Sequence, residues 1–218
     1  METNIQELGK DTNILILNQL DDRELVILCE SNKFYQKICN NQMFWLNRIL
    51  TKLNNQVPIE ELRKYKGTKK DSDTKKLRDR TWSEYYIEDL SIIKPKKARK
   101  YLKRASVKGR LDQVIFSVLK GANIHDTDFM GEEHAVRLAV EFGHVAVVKY
   151  LVSQGANIRI LNDYPLKVAA YNGHLEVVKY LVSLGADIHT SDNFAVKMAA
   201  RNGHSNVVDY LVSLGAHL

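Results

Sequence analysis

Cysteine, proline and long apolar runs are scarce in this 218-residue chain, and each scarcity sets aside a class of protein. Two cysteines, Cys29 and Cys39, are too few for a disulfide framework or a four-ligand zinc site. Ten positions apart in a helical pattern, they read as small buried hydrophobes. Glycine takes 11 positions and proline 3, which beside 44% hydrophobic and 27% charged residues excludes collagenous and disordered chains. No stretch of about 18 uncharged apolar residues occurs, and Met1 to Thr12 shows no apolar run behind a basic start. Neither a membrane span nor a signal peptide is therefore expected, and the compartment reads as cytoplasmic or nuclear. Catalytic signatures are missing too: no Gly-rich phosphate loop, no Gly-x-Ser-x-Gly, no His-Glu-x-x-His. No catalytic residue, metal site or cofactor is expected, and Asp126-x-Asp128 with Glu132-Glu133-His134 reads as turn chemistry and solvated charge.

Charge is present but segregated. Residues 1–60 carry 6 Lys/Arg against 8 Asp/Glu, residues 61–110 carry 18 against 7, and residues 111–218 carry 8 against 11. The net +6 therefore comes from the middle of the chain. Lys94 to Arg104, KPKKARKYLKR, holds seven cations in eleven residues. Nuclear import, nucleic-acid contact and the solvated face of a helix all fit it. Single-stranded nucleic acid would want stacking aromatics beside those cations, and only Tyr101 is near.

The second half repeats. Gly-His recurs at Gly143-His144, Gly173-His174 and Gly203-His204, and Gly-Ala at Gly155-Ala156, Gly185-Ala186 and Gly215-Ala216, both in steps of 30. Between them lies a near-constant phrase, such as HLEVVKYLVSLGADI, whose Val177, Val178, Leu181 and Val182 mark one helical face. The glycine that follows each phrase suits a left-handed helix end. A shorter helical phrase precedes each Gly-His, and in LKVAAYNG and VKMAARNG it carries paired alanines. Each unit is thus helix, tight turn, helix, loop, and no single unit can bury its apolar face alone, so the copies must stack. A weaker fourth copy, YLKRASVKGRLDQVIFSVLKGANI, keeps the same internal spacing of 12 between Gly109 and Gly121 and reads as a cap repeat.

These residues resemble the ankyrin repeat, with its Ala-Ala, Asn-Gly-His, Val-Val, Leu-Val and Gly-Ala-Asp pattern. The resemblance implies an all-α solenoid of about four helix pairs with short fingers, capped over 98–121 and followed by repeats around 134–155, 164–185 and 194–215. Two repeats are three residues short in the finger. Arg137, Lys167 and Lys197 stand where the family has a histidine, forming a basic column. His144, His174 and His204 are expected as turn residues, about 10 Å apart from copy to copy. A protein target would meet the exposed positions of the inner helices: Arg137, Glu141, Phe142, Lys167, Tyr171, Lys197 and Arg201, with Tyr171 and Phe142 as anchors.

The first 53 residues are built differently. Apolar clusters (Ile14 to Leu17 and Leu20; Leu25, Val26, Leu28; Phe34, Ile38; Phe44, Trp45, Ile49, Leu50, Leu53) suit short helices, with Asp21-Asp22 and Ser31-Asn32 as caps between them. Without gaps, Leu8 to Trp45 resembles the F-box: Leu8, Asp11, Ile16, Leu17, Leu20, Asp21, Leu25, Leu28 and Phe44-Trp45 fall on its pattern, while Gly9 replaces its proline, Ser31 an aliphatic and Tyr35 a tryptophan. The resemblance implies docking on the Skp-type linker of a cullin ubiquitin ligase through Leu8, Gly9, Ile16, Leu20 and Leu25. Between the two halves, residues 54–97 read as a basic linker and bridging helix: residues 66–80 as a connector, and Trp82, Tyr85, Tyr86, Leu90 and Ile93 as one helical face.

Together these readings make the chain a non-catalytic substrate receptor, joining a target on the ankyrin stack to a Skp-cullin-type ligase. The alternative is an interaction scaffold without a ubiquitin link, whose N-terminal helices are structural. The pairing of the two modules resembles proteins of large DNA viruses, in which the target would be a host protein. No membrane partner is expected and nucleic acid is the third choice.

Overall fold

The computed structural model describes residues 17, 19–20, 22–31, 33–53, 55–70, 77–86, 90, 93–126, 134–158 and 163–218. The chain divides into two compact units, Met1–Ile93 and Lys94–Leu218. The first contains α1 (Asp22–Ser31), α2 (Lys33–Cys39), α3 (Gln42–Lys52), α4 (Ile59–Lys66), a hairpin of β1 (Thr68–Lys70) and β2 (Leu77–Asp79), and α5 (Trp82–Tyr85). The second contains α6 (Ala98–Lys108), α7 (Leu111–Leu119), α8 (His134–Glu141), α9 (Val145–Ser153), α10 (Tyr164–Tyr171), α11 (Leu175–Ser183), α12 (Thr190–Arg201) and α13 (Ser205–Ser213).

The first unit is larger than the 53 residues that the apolar clusters suggest. Val57, Leu62, Trp82, Tyr85, Tyr86, Leu90 and Ile93 are buried along with Leu17, Leu25, Phe44, Trp45, Ile49 and Leu53. Tyr86 packs on Trp45 with ring centroids 5.5 Å apart, and the Trp82 amide donates to Gln42 Oε1 at 2.6 Å. Residues 54–93 are thus part of this unit, where a linker and bridging helix were expected. The connector expected over 66–80 is in part a hairpin, pairing Thr68 with Asp79 and Lys70 with Leu77. Its three-residue strands, polar apart from Leu77, are too short to carry an alternating pattern.

Arg48 is the most buried charge among the described residues of this unit, 1% exposed. It lies over the Tyr86 ring and donates to the Leu17 carbonyl at 2.9 Å and the Leu20 carbonyl at 2.8 Å. A guanidinium removed from water needs such acceptors, and those carbonyls in turn need a donor. Cys29 and Cys39, read from sequence as two separate small hydrophobes, are joined as a disulfide between α1 and α2. The short link between the helices brings their Cα atoms to 5.9 Å, within bridging range.

The second unit is an all-α stack of four helix pairs. Inner helices pack in the order α6, α8, α10, α12, and outer helices in the order α7, α9, α11, α13. Ala105, Ala139, Ala169 and Ala199, one per inner helix, are all fully buried, which lets neighbouring backbones approach. The three histidines join one pair to the next. With Nε2 protonated, His144 donates to the Val107 carbonyl at 2.9 Å, His174 to Glu141 at 2.8 Å and His204 to Tyr171 at 2.9 Å. Each ring lies against the glycine that ends the preceding inner helix. A Cβ on Gly109, Gly143 or Gly173 would stand 2.5 Å from the Nδ1 of the next histidine, whereas at Gly203 it would meet nothing within 4 Å. The cap pair has Arg110 at the histidine position, where it clasps buried Asp112 through Nε at 3.0 Å and Nη2 at 2.7 Å.

Candidate functional site

A helix presents residues i, i+3, i+4 and i+7 on one face. On α10 those positions are Tyr164, Lys167, Val168 and Tyr171, and together they form the floor of an open depression of about 370 Å³. Arg137 and Glu141 of α8 close one side, Phe194 of α12 the other, and Asn172 lies at the end. Tyr171 is 52% exposed and Phe194 40%. Large aromatics at that exposure, beside cations, are the side chains that carry most interface energy.

Each cation of the column is held in a different way. Arg137 Nη1 donates to Glu141 Oε2 at 2.9 Å, one helical turn away. Lys167 Nζ donates to Ser191 Oγ at 2.7 Å and lies 5.8 Å from the Phe194 ring centroid. Lys197 Nζ pairs with Asp192 Oδ2 at 2.7 Å. The hydrogen bond from Lys197, helped by its charge, holds the Asp192 carboxyl below the ordinary aspartate value. Ser191, Asp192 and Asn193 all have left-handed backbone, φ 56°, 59° and 55°. That conformation costs side-chain-bearing residues energy and persists only where the surroundings enforce it. Here the turn aims Ser191 and Asp192 at two successive lysines of the column.

The structure therefore brings Arg137, Glu141, Lys167 and Tyr171 together and leaves three expected residues outside the depression. Phe142 is exposed and stacks on His144 with centroids 6.5 Å apart, Lys197 is engaged by its own finger, and Arg201 is solvated on the last inner helix. Sequence reasoning missed Tyr164 and Phe194. Their signal is their shared register, three residues before Lys167 and Lys197. Of the F-box-like positions, Leu8, Gly9 and Ile16 lie outside the described residues, as do Asp128, Glu132 and Glu133. Leu20 is half-buried, and Leu25 is 0% exposed, a core residue of its own unit. No group of three or more His, Cys, Asp or Glu with metal-site geometry occurs among the described residues, and no described helix is long and apolar enough to cross a membrane.

The family description "Ankyrin repeats (3 copies)" matches residues 102–192 and 138–218, more than half of the chain. The chain belongs to the ankyrin-repeat family. No curated protein is significantly similar to it. Ankyrin repeats bind protein partners, which supports a protein-interaction role for this chain. The match begins at 102, leaving Leu8 to Trp45 uncovered.

Proposed function

We propose that this ankyrin-repeat chain is a non-catalytic adaptor that captures a protein target in the depression between α8, α10 and α12. The observation that carries the reading is the exposure of Tyr171 and Phe194 around a floor shared by three repeats. Pull-down with the full chain followed by mass spectrometry tests it. The target is expected to be captured by the wild type and lost on Tyr171→Ala with Phe194→Ala. A target retained by that variant, with helical content unchanged, overturns the site.

The finer reading couples that target to a Skp-cullin-type ubiquitin ligase through the N-terminal helices, raising its effective concentration near the ubiquitin donor. The gap-free pattern from Leu8 to Trp45 supports it. Its test is co-purification with a Skp-type linker, abolished by Leu20→Arg. Absence of the linker from both samples removes this function. The resemblance to proteins of large DNA viruses makes the target a host protein, met in the cytoplasm or nucleus. A second reading, a scaffold with no ligase link, is favoured by the burial of Leu25, one of the expected linker contacts. It predicts target capture with no cullin partner.

A further inference from the structure

The inner helix of the cap repeat differs from the other three in a way that the 30-residue register does not reveal. The step from Gly109 to Gly143 is 34, so the cap residue equivalent to Arg137, Lys167 and Lys197 is Lys103. The basic column thus has four members. In α8 the cation is answered one turn later by Glu141, whereas the equivalent residue in α6 is Val107. Lys100, Lys103, Arg104 and Val107 stand at i, i+3, i+4 and i+7, on one face of α6.

That face borders a second open depression, of about 380 Å³, lined by Arg99, Lys100, Lys103 and Arg104 around Val107 and Leu138. Arg99 pairs with Asp126. Lys100, Lys103 and Arg104 have no carboxylate partner among the described residues. Residues 94–110 contain nine Lys/Arg and no Asp or Glu. The positive end of a helix dipole lies at its N-terminus, where acidic residues are favoured. α6 has none in its first turn and carries Arg99 and Lys100 there instead. A merely solvated face would not need cations at the end of the helix that disfavours them.

We propose that this depression binds an acidic peptide segment of the partner, its carboxylates against Lys100, Lys103 and Arg104 and an apolar side chain on Val107 and Leu138. The inference rests on the proposed capture of a protein by the inner-helix face. It adds the chemistry of the partner and the direction in which it lies. The floor decides for peptide over nucleic acid: between the cations it offers two aliphatic side chains and no aromatic ring on which a base could stack. Two helix steps of about 10 Å each separate α6 from α10, so an extended partner would have its acidic residues about six positions from the residue that enters the Tyr164–Tyr171 depression.

The test uses the full chain and a fluorescein-labelled peptide with a tryptophan about six residues from a run of glutamates, read by anisotropy. Binding is expected to weaken about tenfold with Lys100→Glu and Lys103→Glu together, and to weaken steeply as salt is raised. Lys100→Gln with Arg104→Gln, which only removes charge, should act in the same direction but less, and serves if the reversed variant loses helical signal. Affinity unchanged in both variants, equal binding of the matching lysine peptide, or tighter binding of a single-stranded oligonucleotide of equal charge overturns the proposal. Tyr171→Ala in the same assay reads the neighbouring depression separately. Loss there but not on α6 removes this inference and leaves capture by the inner-helix face standing.

Discussion

The three histidines of the stack make one bond three times, while Arg48 of the first unit makes its bonds once. In residues 94–218 each device recurs at fixed steps: a ring against a glycine, an imidazole on a carbonyl, a buried alanine between helices. In residues 1–93 the devices are singular: a guanidinium on two carbonyls, an indole N–H on the Cys39 carbonyl, one disulfide. Repetition spreads stability over many equivalent contacts, whereas the singular unit concentrates it in a few side chains. Damage should therefore be shared in one region and focused in the other.

The largest test of that contrast is Arg48→Ala. It removes the donor shared by the buried Leu17 carbonyl and the half-buried Leu20 carbonyl, and should cost about 3 kcal/mol or more. The loss should appear only in the denaturant transition of the first unit, with amide exchange in α10 and α11 unchanged. Next comes one substitution at two equivalent sites. Gly143→Ala adds a left-handed penalty and a collision with His174, about 3 kcal/mol in sum, whereas Gly203→Ala adds the backbone penalty alone, about 1 kcal/mol. Equal shifts in the two urea midpoints would show that the ring contact contributes nothing.

A smaller effect has the opposite sign. The column that holds Val140 and Ala170 has Ser106 in the cap repeat, fully buried with no hydrogen-bond partner for its Oγ. Ser106→Ala should stabilise the stack by about 1 kcal/mol, seen as a higher melting temperature. The smallest concerns pH. Because Lys197 holds the Asp192 carboxyl below its ordinary value, the contact stabilises fully above the unfolded aspartate pKa and is lost as pH falls through the folded one. Carboxyl titration by NMR should show the Asp192 midpoint rising on Lys197→Met, with the rest of the stack unmoved.

The same contrast explains what could be read from residues alone. Gly-His and Gly-Ala at steps of 30 expose the stack because a repeated contact leaves a repeated letter, and four of the seven expected surface residues meet in one depression. Lys103 stayed hidden behind a step of 34, and Tyr164 and Phe194 behind finger turns that obscure where their helices begin. In the first unit a singular contact leaves no pattern. Nothing in RILTK marks Arg48 as a buried donor, and helical periodicity treats Cys29 and Cys39 separately because it says nothing of how two short helices fold back on each other. The hairpin strands at Thr68–Lys70 and Leu77–Asp79 escape for a similar reason, since they are three residues long and polar apart from Leu77.

The clearance above Gly203 has an engineering consequence. Every other glycine of that series is already roofed by an imidazole, so Gly203 alone offers the same seat vacant. A copy of residues 189–218 placed after Leu218 would put a new ring 30 positions beyond His204, in the right register. Such a cassette would extend the groove by roughly one helix diameter, about 10 Å, turning the stack into a ruler whose reach is set by the number of units inserted.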